Sequence, residues 1–378
     1  MTETIFTNAR IVTSDSEFNG TVVVHDSRIV TVDDRPCQLA SAQDLDGDYL
    51  LPGLIEMHTD NMEKHFMPRP GVMWPSAKAA VLAHDAQIVA AGITTVFDAL
   101  AIGEYEERQM RRQILGASLD AVRTAKDHAL LRADHYYHMR CEVSDPAVVE
   151  IFAPYADNPL TRLVSVMDHT PGQRQWGKLD KYIEYNKGEN WTAEQLGHRL
   201  AELKERQIKY GESHRRQVAK MCRDRGIVLA SHDDATSAHI EEAIADGVSI
   251  AEFPITLEAA KSARTGNLRT IMGAPNLVRG GSHSGNISAL DAARAGLLDG
   301  LSSDYVPASL IHAAFLLRDR AGITLPEAVA KVSINVAHMV GFEDRGAIAP
   351  GLRADLVRVR DDETPVVREV LVAGKRVF

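Results

Sequence analysis

Hydrophobic and polar positions change their spacing twice along this chain. Near both ends, short runs rich in β-branched residues alternate with turn residues such as Asn19-Gly20, a pattern typical of β-hairpins. Neither end predicts a long helix, so we expect the two ends to pair in one small sheet domain. The predicted terminal strands cover residues 4–12, 20–25, 28–32, 354–359 and 366–372.

From about residue 51 to residue 345, apolar runs of strand length alternate with helical patterns, which indicates βα units and a parallel sheet. Eight such units are the usual content of a TIM barrel. Helices are predicted at 76–91, ending at Gly92, and at 192–225, whose charged residues favour a solvated face. Residues 170–191 predict a long loop over the site. The predicted barrel strands are 54–57, 94–99, 138–142, 163–168, 227–231, 248–253, 270–274 and 300–303.

Composition narrows the class of protein. The 378 residues carry a formal net charge of −10, which argues against a protein that coats nucleic acid or an anionic membrane. The three cysteines, Cys37, Cys141 and Cys222, are too few and too scattered for a disulfide framework. Neither a signal peptide at Met1 nor an apolar run of about 18 residues is apparent, so we expect a cytoplasmic enzyme.

Titratable residues fall at the carboxyl ends of the predicted strands, where barrel enzymes place their sites. In an extended strand, residues two apart share a face, so His58 and Asp60 can reach one metal ion. A single histidine is usually a surface or core residue, but six groups at one barrel mouth fit a pair of divalent ions. Asp98 is expected either to support the ligands from behind or to be structural, and the pair His84-Asp85 is expected to be structural. The predicted metal ligands are His58, Asp60, Glu142, His169, His232 and Asp304.

A glycine-rich stretch at 273–286 follows the seventh predicted strand and precedes a helix that begins near Ser288. Loops after strands seven and eight are the recurrent phosphate site of such barrels, because glycines let backbone N–H groups approach an oxyanion. The alternative to a phosphate site is a plain connecting loop, and the alternative to substrate binding by the nearby cations is a solvated or salt-bridged role at the surface. The predicted substrate-binding residues are Lys64, Arg69, Arg140, Arg174, Arg279, Ser282 and His283.

Longer motifs make the chain similar to a known family. Residues 51–58 (LPGLIEMH) and 351–357 (GLRADLV) resemble the amidohydrolase superfamily, which implies a metal-dependent (β/α)8 TIM barrel with a small β-sandwich domain from both termini. We therefore predict a barrel at 51–345 and a sandwich at 1–50 and 346–378. Further motifs resemble the phosphonate-metabolism branch of that superfamily. These motifs are 58–61 (HTDN), 68–70 (PRP), 167–175 (MDHTPGQRQ), 230–236 (ASHDDAT) and 280–286 (GGSHSGN).

This resemblance implies hydrolysis of a ribose 5-triphosphate, with release of pyrophosphate, in the carbon–phosphorus lyase route of phosphonate catabolism. Asp304 would orient the attacking water and accept its proton. Where most superfamily members have His-x-His, this chain has His58-Thr59-Asp60, and Glu142 stands in for the carboxylated bridging lysine of many members. More oxygen ligands widen the choice of the two metals to Zn, Mn or Fe. The expected partner is a small sugar triphosphate, with no nucleic acid or membrane, and a homo-oligomer stays open.

Two alternatives remain at this point. One is an amidohydrolase that acts on a cyclic amide or an N-acyl substrate, whose pocket would carry one arginine for a carboxylate instead of many cations. The other is a metal-free barrel that serves as an assembly partner, against which the presence of His58, Asp60, His232 and Asp304 argues.

Overall fold

The strands follow the predicted order along the chain. The computed structural model describes residues 3–69, 71–103, 109–281 and 286–378. The strands in that part of the chain are β1 (Glu3–Val12), β2 (Glu17–His25), β3 (Arg28–Asp33), β4 (Gln43–Asp44), β5 (Tyr49–Pro52), β6 (Leu54–Thr59), β7 (Ile93–Ile102), β8 (Asp134–Glu142), β9 (Thr161–Met167), β10 (Val228–His232), β11 (Ile250–Glu252), β12 (Arg269–Gly273), β13 (Gly300–Ser302), β14 (Leu356–Asp361), β15 (Pro365–Val372) and β16 (Lys375–Arg376).

Helices connect most of the strands of the middle region. In the described residues they are α1 (Asn61–Phe66), α2 (Ala77–Ala90), α3 (Gln109–Asp127), α4 (Val148–Ala156), α5 (Leu179–Tyr185), α6 (Ala193–Arg225), α7 (Ser237–Ala245), α8 (Leu257–Thr265), α9 (Ala274–Val278), α10 (Ala289–Arg294), α11 (Ser309–Ala321), α12 (Leu325–Ala330) and α13 (Ile334–Met339).

The eight strands β6–β13 form one parallel sheet in sequential order, which confirms the predicted barrel. The two edge strands meet through a bridge between Thr59 and Asp304. The Asp304 N–H donates to the His58 carbonyl at 3.1 Å, and the Asp60 N–H donates to the Asp304 carbonyl at 3.2 Å. Closure of the barrel therefore brings two predicted ligands, Asp60 and Asp304, next to each other.

Strands from both chain ends build the second sheet, in the order β16-β15-β14-β5-β1-β2-β3, with β4 beside β1. The strand β5 lies antiparallel to β14 and parallel to β1, so the two termini share one sheet as predicted. Gly53 joins this sheet to β6. A side chain there would clash, since a Cβ atom would lie 2.3 Å from Thr94 Oγ1 and 2.8 Å from Asp355 Cβ. The predicted domain boundaries themselves stay predictions.

Apolar residues fill the barrel interior and the layer between barrel and helices. Burial of such side chains is worth about 1.5–3 kcal/mol each and fixes the strands that carry the site. None of the helices in the described ranges is long and apolar enough to cross a membrane. The residues that fill the interior include Ile55, Met57, Phe97, Leu163, Ala230, Ile250 and Ile271.

Local capping sets where the helices near the site begin. The helix predicted at 192–225 is α6, which starts after a capping box formed by Thr192 and Gln195 and ends at Gly226, a glycine with φ +66°. The prediction of a loop at 170–191 was wrong in part, since it contains α5. Tyr182 of α5 is buried against Trp176, with ring centroids 5.8 Å apart, and this contact gives a short segment the tertiary support that a helix needs.

Candidate metal centre and substrate cavity

All six predicted metal ligands line one cavity of about 310 Å³ at the carboxyl end of the barrel. They come from the ends of four strands, β6, β8, β9 and β10, and from the segment after β13, as the spacing along the sequence predicts. The cavity also receives Asp233 and Phe253, which the sequence interpretation did not select. The ligands in this cavity are His58, Asp60, Glu142, His169, His232 and Asp304.

Glu252, at the end of β11, holds two of the histidines. Its Oε1 accepts a hydrogen bond from His58 Nδ1 at 2.7 Å, and its Oε2 accepts one from His232 Nδ1 at 2.7 Å. The two imidazole rings lie nearly parallel, with centroids 5.8 Å apart. A carboxylate at Nδ1 fixes the tautomer and leaves Nε2 as the nitrogen for a metal ion.

Glu252 is completely buried. Burial alone would raise the pKa of its carboxyl group, but the charges of His58 and His138 and the hydrogen bonds from His232 and His58 outweigh it and hold the pKa well below its usual range. The sequence interpretation missed this residue. The available signal was an acidic residue inside an apolar strand, where an unpaired carboxylate would be costly.

Asp60 and Asp304 bring carboxylates into the cavity from the two strands that meet where the barrel closes. Within the described residues, Asp60 Oδ1 is buried and has no hydrogen-bond partner. Burial, and next the charge of Asp60, raise the pKa of Asp304 to about 6. An orphaned oxygen beside a second carboxylate fits a site for a divalent cation.

Glu142 and His169 form a second pair at this mouth. Glu142 Oε2 accepts from His169 Nδ1 at 2.8 Å, and Glu142 Oε1 accepts from the Ser144 hydroxyl at 2.9 Å. His169 Nε2 then lies 3.8 Å from Asp233 Oδ2. In this arrangement Glu142 orients His169 toward Asp233. The role of Glu142 as a bridge between two metal ions stays a prediction.

Three residues of the mouth adopt a left-handed backbone conformation. The φ angles are +55° at Asp233, +56° at Phe253 and +54° at Asp304, each one or two residues after a strand. For residues other than glycine such conformations cost roughly 1–3 kcal/mol each, and they cluster at functional sites. The strain turns the chain at the strand ends and so places these side chains around the cavity.

The donor set fits a divalent metal centre. His169, His232 and Asp233 bring their ligand atoms within 4.8 Å of one another at the cavity wall. His58 and His138 form a similar group with Glu252, but both nitrogens of His138 are already engaged, by the Met57 carbonyl at 3.1 Å and by Ser165 Oγ at 2.8 Å. We therefore place His138 among the supporting residues and not among the ligands.

Glu56 supports the same region from inside the wall. It is fully buried; its Oε1 accepts from the His58 N–H at 2.7 Å and its Oε2 accepts from the Ser303 N–H at 2.6 Å. Burial raises its pKa to about 7. Glu56 thus connects β6 to the end of β13, the two edges where the barrel closes.

Four arginines line the same cavity as these acidic groups. Arg140, which the sequence interpretation selected, has a buried Nε without a hydrogen-bond partner among the described residues. Arg111 comes from α3, and Arg199 and Arg206 come from α6. Arg199 and Arg206 were missed because the charged pattern of residues 192–225 predicts a solvated face, and no sequence pattern singled out Arg111. The cavity lining therefore contains four guanidinium groups in a chain that is acidic as a whole, and that of Arg111 also pairs with Glu63 at 3.4 Å.

Arg174 lies elsewhere than predicted. The structure does not place it among the cavity-lining residues. Its buried guanidinium donates to the His232 carbonyl at 3.1 Å and pairs with Asp234 and with Glu242, the latter at 3.2 Å. Two carboxylates converge on this cation, so Arg174 ties the segment after β9 to the end of β10. Its assignment to substrate binding stays a prediction.

The remaining predicted cations are more peripheral. Lys64 is exposed and donates to the carbonyl of Tyr305, a residue that lines the cavity. Arg69 is exposed, pairs through its backbone with Val72, and is absent from the cavity lining in the described residues. Their assignment to substrate binding stays a prediction, and the structure does not bring Arg69 to the site.

A second cavity of about 120 Å³ adjoins the first. Its wall includes Arg279 and Gly281, which belong to the predicted phosphate loop, and Arg279 reaches the Tyr305 hydroxyl at 3.5 Å. Part of that predicted loop forms the helix α9. The predicted residues Ser282 and His283 lie outside the described residues. Both cavities share Gln175, Asp233, Phe253, Asp304 and Tyr305.

A separate buried network lies between the barrel and α2. Asp98 accepts from His84 Nε2 and from His135 Nδ1, each at 2.8 Å, and His135 Nε2 lies 3.4 Å from Asp85 Oδ1. The side chains are fully buried, and the expectation that Asp98 and His84-Asp85 are structural agrees with this position. The Asn61 amide, next to Asp60 in the chain, contacts His84 Nδ1 at 3.1 Å.

The barrel, the terminal sheet and the donor set at the strand ends define a hydrolase of one family. The model of the amidohydrolase family matches residues 49–377, and the chain belongs to this family. It is 43% identical over 378 residues to alpha-D-ribose 1-methylphosphonate 5-triphosphate diphosphatase of Escherichia coli K12, covering 99% of this chain and 100% of that protein.

Solved structures agree on the fold. N-isopropylammelide isopropylaminohydrolase from Burkholderia multivorans superposes with a TM-score of 0.66 at 17% identity, covering 100% of this chain and 98% of the other. N-acetylglucosamine-6-phosphate deacetylase from Pasteurella multocida gives a TM-score of 0.65 at 14% identity, covering 99% of both chains. At these identities the likeness concerns the fold alone.

Proposed function

We propose that this enzyme hydrolyses α-D-ribose 1-methylphosphonate 5-triphosphate to α-D-ribose 1-methylphosphonate 5-phosphate and pyrophosphate, as a step of phosphonate catabolism by the carbon–phosphorus lyase route. One water is consumed, and the anhydride bond between the α- and β-phosphorus breaks. The relative of 43% identity, which extends over the whole chain, supports the reaction class. The cavity chemistry supports the same assignment independently of that relative.

Two divalent ions are proposed at the cavity mouth, with Zn, Mn or Fe as candidates. The ions would be held by His58, Asp60, His232 and Asp304. His169 would be a further ligand, together with either Asp233 or Glu142. Bound there, such ions would lower the pKa of a water molecule and polarise the phosphoryl group. Histidine nitrogens and carboxylate oxygens without thiolates fit these metals.

Asp304 is the proposed general base. It lines both cavities, which supports a role beside an anhydride that would extend from one cavity into the other. The Thr59 hydroxyl donates to the Asp304 carbonyl at 2.7 Å, and the Asp304 N–H donates to the His58 carbonyl, so the residue is fixed from both sides of its backbone. Asp304 would orient the attacking water and take its proton.

Cations of the cavity would stabilise the phosphate charges. Arg140 projects from β8 two residues before Glu142, and its buried Nε, which has no hydrogen-bond partner in the described part of the chain, is a donor for an oxyanion. Arg279 in the smaller cavity would neutralise the departing pyrophosphate. Lys64, which donates to the carbonyl of the cavity-lining residue Tyr305, would add a second positive charge. Phosphoryl transfer depends mainly on such positioning and charge stabilisation.

The observation that carries this assignment is the presence of four arginines in the lining of one cavity. A cyclic amide or an N-acyl amino acid needs one cation at most, for a carboxylate. A sugar triphosphate with a phosphonate carries several negative charges and calls for several guanidinium groups. The cavity composition therefore favours the polyanionic substrate over the amide.

The test is product analysis with metal-loaded enzyme. Phosphorus NMR of the incubated triphosphate is expected to give equal amounts of the 5-phosphate and pyrophosphate, without orthophosphate. Turnover in ¹⁸O-labelled water then assigns the attacked phosphorus, since the label enters either the sugar phosphate or the pyrophosphate. Hydrolysis of dihydropyrimidines or N-acyl amino acids, with the triphosphate left intact, would instead support the amide alternative.

A further inference from the structure

The first half of α6 forms one wall of the larger cavity. Arg199, Leu203 and Arg206 line it. Positions four and seven residues apart lie on one face of an α-helix, so these three side chains face the cavity together. The second half of α6 packs Val218, Ala219 and Cys222 into the core, so the face of the first half is the part of the helix that a substrate would meet.

Glu202 holds the two arginines in place. Its Oε2 accepts from Arg199 Nη1 at 3.1 Å, and its Oε1 accepts from Arg206 Nη2 at 2.5 Å. The side chains of Arg199 and Arg206 are 17% and 20% exposed, while that of Glu202 is 48% exposed. One carboxylate thus bridges two partly buried guanidiniums and sets them side by side at the cavity, an arrangement that suits a compact dianion.

Aromatic rings stand beside this wall. Trp176 contacts Tyr182 and Tyr185, with ring centroids 5.8 Å and 5.0 Å away, and all three line the larger cavity. Flat amphipathic side chains offer a surface for the apolar face of a sugar and hydroxyl groups for its rim. The larger cavity therefore combines a platform for a ribose ring with a cationic end.

The two cavities differ in what they can hold. The smaller one, about 120 Å³, contains Arg279 and Gly281, whereas the larger one, about 310 Å³, contains the aromatic rings and the arginines of α6. Asp304 lies where they join. The leaving pyrophosphate fits the smaller cavity. The ribose and its 1-methylphosphonate group would then occupy the larger one.

We propose that Arg199 and Arg206 bind the 1-methylphosphonate group of the substrate and so make the enzyme distinguish it from other sugar triphosphates. This inference rests on the proposed function and adds to it the residues that bind the end of the substrate opposite the triphosphate. Arg140, on β8 beside the metal centre, would bind the phosphate next to the scissile bond.

Two substrates and matched variants test the inference. Pyrophosphate release is measured from α-D-ribose 1-methylphosphonate 5-triphosphate and from ribose 5-triphosphate without the phosphonate. Arg199→Gln and Arg206→Gln are each expected to raise KM for the first substrate about 10-fold to 100-fold, the loss typical of a charged hydrogen bond, and to leave the second within about threefold. Arg206→Lys, which keeps the charge, is expected to lie between wild type and Arg206→Gln.

The control variant is Arg216→Gln on the same helix. Arg216 is 67% exposed and pairs with Glu212 away from the cavity, so its loss is expected to leave KM for both substrates unchanged. Thermal melting checks that every variant folds. Equal losses on both substrates would overturn this inference while leaving the proposed function intact. A wild-type enzyme that releases pyrophosphate from neither substrate would instead overturn the proposed function, and the inference with it.

Discussion

Glu252 Oε1 lies 2.7 Å from His58 Nδ1, and both side chains are buried at the bottom of the candidate metal centre. The second oxygen of the same carboxylate holds His232 in the same way. One residue that does not face the cavity thus fixes the orientation of two rings that do. Much of the site's geometry depends on this support.

Replacing Glu252 with Gln is therefore expected to weaken metal binding about 10-fold to 100-fold, since an amide cannot accept from both histidines. Metal titration of the metal-free protein measures the change. Glu241→Gln, the same substitution at an exposed position of α7, is the control and is expected to bind metal like wild type. Unchanged affinity in Glu252→Gln would remove the supporting role of this carboxylate.

Asp304→Asn is expected to lower kcat about 10²-fold to 10⁴-fold, because the amide cannot accept the proton of the attacking water. Steady-state pyrophosphate release gives kcat, and elemental analysis of the same sample gives metal content. Asp120→Asn, an exposed change on α3, serves as the control. If Asp304→Asn keeps both its metal and its turnover, the general base must be sought elsewhere.

The network around Asp98 predicts a pH dependence of stability. Burial opposes a charge on His135, but Asp98 and Asp85 outweigh it and raise the pKa of His135 to about 9, above the 6.5 of an ordinary histidine. The stabilisation is therefore fully present below pH 6.5 and is lost as the pH rises through 9. His135→Gln is expected to cost about 3 kcal/mol at pH 6 and much less at pH 9.

Unfolding of both proteins across that pH range measures the difference. His128→Gln is the control, since His128 is exposed and bonded only to the Thr124 carbonyl in the hydrogen bonds of the described residues. A stability difference between wild type and His135→Gln that stays constant from pH 6 to pH 9 would mean that the protonation of His135 does not stabilise the fold.

Arg174→Gln separates structural support from substrate binding. Removing this buried cation leaves Asp234 and Glu242 without it, so we expect the free energy of unfolding to fall by about 3 kcal/mol or more. KM for the triphosphate is expected to change little in the folded fraction. The exposed pair of Arg123 and Asp120 offers a control in Arg123→Gln, which is expected to change stability by less than about 1 kcal/mol. A large rise in KM without loss of stability would restore the predicted binding role of Arg174.

The sequence predicted the barrel closely because its strands are apolar runs separated by helical patterns. Strands β7 and β13, for example, lie within three residues of the predicted ends. The spacing of two between His58 and Asp60 placed both side chains at one mouth, and the cavity lining agrees. These features are local in the chain, so pattern alone predicts them.

Long-range features were out of reach of the sequence pattern. Glu252 supports residues 194 and 20 positions away, and no spacing rule connects them. The arginines of α6 look like part of a solvated surface until the helix is packed over the cavity. A conspicuous motif suggested a substrate role for Arg174, but no local pattern could show that its guanidinium pairs with Asp234, 60 positions away. Acidic residues inside apolar strands are the signal that would have drawn attention to Glu252.

The most direct test of the whole account joins metal content with reaction. Elemental analysis of the purified enzyme, followed on the same sample by incubation with α-D-ribose 1-methylphosphonate 5-triphosphate, is expected to give about two equivalents of divalent metal, in keeping with a two-metal site, and release of pyrophosphate without orthophosphate. Metal-bound enzyme that leaves the triphosphate intact would contradict the proposed reaction, and an active enzyme free of metal would contradict the centre formed by His58, Asp60, His232 and Asp304.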